Sequence, residues 1–181
     1  MTEPLQEIIE EPLGDDDLRY YFSKARILKY NQLVQYSSIE ALLPEERDFC
    51  FLLIEDSPNR GHWVALLRHH NQIEFFDSFG GKVDSQLSWS CPSVRRGLGQ
   101  CKTHLSDLLN QSPFEVVYNP IPYQQDGQDI NTCGRHCVLR IVSRFSPENL
   151  NLSDYYSLMK YWKKQTGQTY DEIVASLITR T

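Results

Sequence analysis

The 181-residue chain contains no stretch approaching the roughly 20 consecutive apolar residues that a membrane-spanning helix needs. No membrane partner is therefore expected. It also lacks an N-terminal basic segment followed by an apolar one, the signature of a secretory signal, which leads to the expectation of a soluble, intracellular protein. Clustered positive charge is missing too. The formal net charge is −6, but seven of the 24 acids (Glu3, Glu7, Glu10, Glu11, Asp15, Asp16 and Asp17) precede the first basic residue, Arg19. With those set aside, 18 basic residues face 17 acids, so the remaining body carries a charge near +1. Binding to phosphates needs clustered Lys and Arg, so nucleic acid is not expected as the main ligand. The pairs and triplets that exist, Arg95-Arg96 and Lys160 with Lys163-Lys164, read as solvated faces. Five cysteines, at positions 50, 91, 101, 133 and 137, cannot all pair within one chain, and a reducing compartment keeps them as thiols. Internal repeats and a boundary to a second domain are absent.

What is present suffices for a globular core: 40% of residues are hydrophobic and 12% aromatic. Residues 1–16 are acidic, carry Pro4 and Pro12 and lack a sustained apolar period, so they read as a flexible or loosely docked arm. A single domain is expected over 17–181, acting as a monomer. Asp16 to Leu28 fits a short helix with acids at its start, and Ser38 to Leu43 a helical turn stopped by Pro44. Three apolar runs, Phe49 to Ile54, Trp63 to Leu67 and Ile73 to Phe76, are separated by turn formers and read as consecutive antiparallel strands. Residues 82–101 read as a polar loop, followed by a helix that Thr103 can cap and a fourth strand over Phe114 to Tyr118. Helices are expected from Cys133, over Ser153 to Lys164 and over Tyr170 to Ile178. Strands first and helices last indicate an α+β fold, a central mixed or antiparallel sheet packed by helices.

The chemistry centres on Cys133. A thiolate is the nucleophilic form of cysteine, and an ordinary thiol needs a positive neighbour or a helix N-terminus to ionise near neutrality. Cys133 follows a polar run and opens an apolar helix, so its sulfur stands at the positive end of the helix dipole. Gly134 leaves room for a substrate backbone to approach. Cys137 lies one turn further along the same face and reads as a buried, inert thiol. His62 begins a strand beside Trp63, and Asp77 ends the next strand. In a hairpin these positions face one another, so Asp77 can accept a hydrogen bond from the imidazole Nδ1 and orient the ring. An oxyanion hole needs donors: the Cys133 N–H is one, and a side chain among Gln124, Gln125 and Gln128 can be the other. A competing reading makes Cys133, His136 and Cys137 ligands of a zinc-binding or peptide-binding module, but no second ligand pair completes a tetrahedral site. Neither a metal nor any other cofactor is expected.

Three segments, Gly61-His62-Trp63-Val64, Phe75-Phe76-Asp77-Ser78-Phe79-Gly80 and Asn131-Thr132-Cys133-Gly134-Arg135-His136-Cys137, follow the order His, acid, Cys-Gly. In them the chain resembles the adenovirus-protease and Ulp1-like superfamily of cysteine peptidases, especially the maturation proteases of large DNA viruses and virophages. Papain-like enzymes run in the order Cys, His, Asn and fit poorly. The resemblance implies a thiol endopeptidase with a papain-like or Ulp1-like architecture, in which His62 is the base, Asp77 its orienter and Cys133 the nucleophile. It also implies cleavage after Gly-Gly or Gly-Ala, with viral capsid or core precursors as substrates and the enzyme packaged in the virion; the runner-up is removal of ubiquitin-like modifiers. The family glutamine falls where this chain has Asp126 and Gly127. Gln125 is preferred to Gln128 for that role because a lengthened loop is easier to absorb than a shortened one.

Overall fold

The computed structural model describes residues 4–179. In chain order its elements are helices α1 (Leu5–Glu10) and α2 (Asp15–Tyr21), strand β1 (Arg26–Lys29), helix α3 (Ile39–Leu42), strands β2 (Phe49–Ser57), β3 (Arg60–His69) and β4 (Gln72–Phe76), helices α4 (Pro92–Gly97) and α5 (His104–Asn110), strand β5 (Glu115–Tyr118), and helices α6 (Cys133–Phe145), α7 (Leu152–Thr166) and α8 (Tyr170–Leu177). Single 3-10 segments lie at Tyr30–Gln35 and Ser85–Trp89. The chain divides into two units. One holds residues 25–77 and 81–120; the other holds the chain before residue 25, residues 78–80 and the chain from 121 onward.

The first unit is built on a five-stranded sheet in the order β1-β2-β3-β4-β5. Strands β2, β3 and β4 form the expected antiparallel meander, while β1 joins β2 and β5 joins β4 in parallel, so the sheet is mixed and the fold is α+β. Side chains alternate along a strand. Cys50, Leu52, Ile54, Val64, Leu66, Ile73 and Phe75 fall on one face, where they share a core with residues of α3, α5 and the two 3-10 segments, including Tyr30, Ile39, Leu42 and Leu105. Phe51, Trp63, Ala65, Leu67 and Phe76 of the opposite parity are buried as well. Burial on both faces is why these strands read as continuous apolar runs rather than alternating ones.

Several sequence expectations change at the level of local elements. The helix expected over Asp16 to Leu28 stops at Tyr21, and Arg26–Lys29 becomes edge strand β1 paired with Cys50 to Leu53. Its partner lies more than 20 residues away, so no local pattern announces it. The expected loop over 82–101 contains a 3-10 segment that sends Leu87 into the core, and helix α4, which opens with Pro92 where a missing N–H costs nothing. Gln100 closes the segment by bonding both backbone groups of Glu55, accepting from its N–H at 2.9 Å and donating to its carbonyl at 2.8 Å. Thr103 precedes α5 but makes no side-chain cap. Asp84 serves that helix end instead, accepting from Ser106 N at 2.9 Å.

In the second unit α6 is buried along most of its length, despite carrying Arg135, His136, Arg140 and Arg144. These polar groups find partners: Arg140 Nη1 donates to the Leu150 carbonyl at 2.9 Å, and its guanidinium lies 5.0 Å from the Tyr155 ring centroid. Helices α2 and α8 pack on α6, and α1 and α7 pack on α8. Residues 4–16, whose composition suggests a flexible or loosely docked arm, carry α1 and the start of α2 and make defined contacts within this unit. Ile9 and Leu13 are buried. The carbonyls of Ile9 and Glu10 accept from Asn131 N and Asn131 Nδ2 at 2.8 and 2.7 Å, and the Glu11 carbonyl accepts from Arg135 Nη1 at 2.5 Å. The first three residues of that expected arm lie outside the described residues. Among the described residues, no helix is long and apolar enough to cross a membrane.

Candidate active site

In the sheet unit, Gly61 brings β3 so close to β2 that a Cβ there would lie 2.0 Å from the Ile54 carbonyl oxygen, so the position admits only glycine. His62 follows directly, with the same strand parity as Val64 and Leu66. Asp77, one residue beyond β4, has the parity of Ile73 and Phe75. The two side chains meet as the hairpin argument expects: His62 Nε2 and Asp77 Oδ1 are 2.7 Å apart, with both residues buried. The nitrogen differs from expectation. It is Nε2, not Nδ1, that faces the carboxylate, which turns the Nδ1 edge of the ring to the other side. Trp89 sets its ring edge-on to the imidazole, with centroids 5.2 Å apart.

A buried carboxylate must have its lone pairs filled by donors. Oδ2 of Asp77 accepts from Gln86 Nε2 at 2.6 Å and from Gly81 N at 3.2 Å. The Asp77 carbonyl accepts from Asn119 Nδ2 at 2.7 Å, which fixes the backbone at the end of β4. Gln86 and Asn119 were not singled out in the sequence, and no motif marks them. Gln86 lay in the segment read as a loop, and Asn119 just after the fourth strand.

In the helical unit, Cys133 is the first residue of α6 and is 7% exposed. Thr132 N-caps the helix by position, and its carbonyl accepts from His136 N at 2.9 Å to start the ladder. A 13-residue helix presents unpaired N–H groups and the positive end of its dipole at this point. Arg135, two residues on, is buried. Burial pushes its guanidinium below the ordinary value, while Tyr21, Glu11 and Asp17 act in the opposite direction. Cys137 is fully buried, and none of the five cysteines is in a disulfide.

The three candidate glutamines separate clearly. Gln124 is buried with its amide committed: Oε1 accepts from Ser78 Oγ at 2.7 Å, and Nε2 donates to the Ile130 carbonyl at 3.1 Å. Gln125 and Gln128 have exposed side chains, and the Gln125 N–H donates to Asp171 Oδ2 at 3.0 Å. Asp171 also accepts from Thr132 Oγ1 at 2.5 Å and from His136 Nε2 at 3.1 Å. That bond commits His136 to a carboxylate. Among the described residues, a group of three potential metal ligands with mutually close atoms occurs only at Glu46, His69 and His70, remote in sequence from Cys133, His136 and Cys137.

No family model matches the chain. The uncharacterized protein V9 of Sputnik virophage is 37% identical to it over 147 residues, covering 81% of this chain and 79% of the relative. Among solved structures, a de-sumoylating protease is similar over 98% of this chain and 84% of its own, at 13% identity and a TM-score of 0.48. The ASFV pS273R protease is similar over 97% and 71%, at 15% identity and a TM-score of 0.49. Both are proteases, and likenesses this distant carry no weight for the activity of this chain.

Proposed function

The chain belongs to the family of the Sputnik virophage protein V9, and from that premise we propose that it is a cysteine endopeptidase. The observation that supports the reading most is the buried His62–Asp77 pair, an imidazole held through one nitrogen by a carboxylate that itself accepts from Gln86 and Gly81. Such an arrangement fixes the tautomer and stabilises the imidazolium that forms when the other nitrogen accepts a proton. Cys133 at the start of α6 supplies the nucleophile that such a base serves.

In this reading Nδ1 of His62 removes the Cys133 thiol proton, and the thiolate attacks the scissile carbonyl carbon. The resulting oxyanion accepts hydrogen bonds from the Cys133 N–H and the Gln125 side-chain amide. The imidazolium returns its proton to the leaving amine, leaving a thioester. Water, deprotonated by His62, then hydrolyses the thioester and frees the thiol. Substrates are proteins cut after small residues of the Gly-Gly or Gly-Ala type. Kinship with a virophage protein supports structural precursors of a virus as those substrates, with the enzyme acting during assembly and carried in the particle.

The decisive test pairs wild type with Cys133→Ala. Wild type cleaves Gly-Gly and Gly-Ala peptides from structural polyproteins and is labelled by a thiol-reactive peptide warhead at residue 133. The site must be mapped by mass, because Cys91 and Cys101 are exposed thiols. The variant, folded by its melting curve, loses both activities. Turnover retained in Cys133→Ala refutes the reading, and preference for folded ubiquitin-like C-terminal probes over the peptides redirects it to deconjugation.

A further inference from the structure

Asp171 occupies a position where its own helix makes no demand on it. The start of α8 is already closed by a capping box, in which Thr169 Oγ1 accepts from Glu172 N at 3.2 Å and Glu172 Oε2 accepts from Thr169 N at 2.7 Å. The Asp171 carboxylate, 2% exposed, faces elsewhere and gathers three donors: Gln125 N on Oδ2, and Thr132 Oγ1 and His136 Nε2 on Oδ1. Burial raises its pKa, but the bonds from His136, Thr132 and Gln125 outweigh that and leave it below the ordinary value. The side chain is thus an anion across the neutral range. Two of its donors lie at opposite ends of the 125–132 loop, and the later of them, Thr132, immediately precedes Cys133.

We propose that Asp171 is a positioning residue: by tying Gln125 to Thr132 it holds the loop against the start of α6, so that the glutamine amide and the Cys133 N–H address the same oxyanion. This rests on the peptidase reading and adds a residue 38 positions beyond the nucleophile. Asp171 touches no substrate; it acts through the two groups it holds. Without the anion the loop keeps its covalent ends but loses the bond between them, and the Gln125 side chain samples positions from which it no longer stabilises the developing charge. Losing one oxyanion donor costs about 10²- to 10³-fold. Loosening a donor, rather than deleting it, is expected to cost about 10- to 100-fold.

The test uses the full chain with Asp171→Asn and Thr132→Val, and Thr132→Ser as the conservative rescue. Asp171→Asn retains the size but offers one acceptor oxygen. Its kcat is expected to fall about 10- to 100-fold while KM stays within about twofold. The affinity for a peptide aldehyde, whose tetrahedral adduct presents an oxyanion, falls by the same factor as kcat. The rate of Cys133 alkylation by iodoacetamide, which forms no oxyanion, holds within about threefold. Thr132→Val shows the same pattern more weakly, and Thr132→Ser, which keeps the hydroxyl, restores it; this pair carries the test if Asp171→Asn fails to fold. Unchanged kcat and aldehyde affinity in the folded variants overturn the proposal, as does a parallel loss of alkylation, which places the defect at the thiol. Absence of Cys133-dependent turnover in wild type is a separate result that removes the peptidase reading and this proposal with it.

Discussion

Gly81→Ala tests the support of the acid in the His62–Asp77 pair with a single methyl group. The Gly81 backbone passes so close to that carboxylate that a Cβ would sit 2.6 Å from Asp77 Oδ2, 2.7 Å from Gln86 Nε2 and 2.8 Å from Ser85 Oγ. An ordinary contact begins near 3.4 Å, so the carboxylate and the amide must each yield by 0.7 to 0.8 Å. If Asp77 gives way along the His62 bond, its 2.7 Å separation opens to about 3.5 Å, the edge of hydrogen bonding. If Gln86 gives way, the 2.6 Å bond to Oδ2 is lost instead. Either outcome forfeits one bond to a charged, buried acceptor, worth about 1.5–3 kcal/mol. Converted at about 1.4 kcal/mol per tenfold, that is about a 10- to 150-fold loss in kcat. The assay is peptide cleavage under saturating substrate, normalised to the folded fraction by titrating Cys133 with the warhead, with a melting curve alongside. A folded Gly81→Ala protein with wild-type kcat refutes the claim that this cluster positions His62 for the proposed reaction.

Two further predictions concern stability. Ile9→Asp places a charge at a residue that is only 6% exposed, so α1 should release from α8, and the Asn131 amide, which donates to the Ile9 carbonyl, should exchange at least about tenfold faster; unchanged protection at Asn131 contradicts the docked N-terminal segment. Burial pushes the Cys50 thiol up to about 12 from an ordinary 9.0. Its contribution to stability is therefore complete below about pH 9 and is lost as pH rises toward 12, because the unfolded chain releases the proton first. By pH 10.5 wild type should lose about 2 kcal/mol from this group alone, a loss absent from Cys50→Ala. Parallel pH profiles from denaturant melts of the two proteins disprove it.

The parts of the fold that were legible share a physical origin. The β2-β3-β4 meander was readable because its strands are apolar on both faces and joined by local turns, and α6 to α8 because their helical periods are sustained. β1 and the anchored 85–100 segment were not, because they are held by contacts with β2 that lie far off in sequence. The docking of the acidic N-terminus is hidden from the sequence for a related reason. Composition argued for solvation, but docking there joins the buried Ile9 and Leu13 to hydrogen bonds on the backbone carbonyls of Ile9, Glu10 and Glu11, and no side-chain statistic records those carbonyl bonds.

The candidate site divides along the same line. His62, Asp77 and Cys133 could be named because each has a side chain whose reactivity is distinctive and a position, strand start, strand end or helix start, that sequence reports. The residues around them, Gln86, Asn119, Thr132 and Asp171, are chemically ordinary and acquire meaning only from what they touch. A carboxylate in water needs no such partners; one with 0% exposure, like Asp77, has to recruit donors from wherever the chain returns. Burial of the acid therefore explains both why its supporting residues are scattered through the sequence and why a methyl group at position 81, on a residue with no chemistry of its own, is expected to disturb the His62–Asp77 pair.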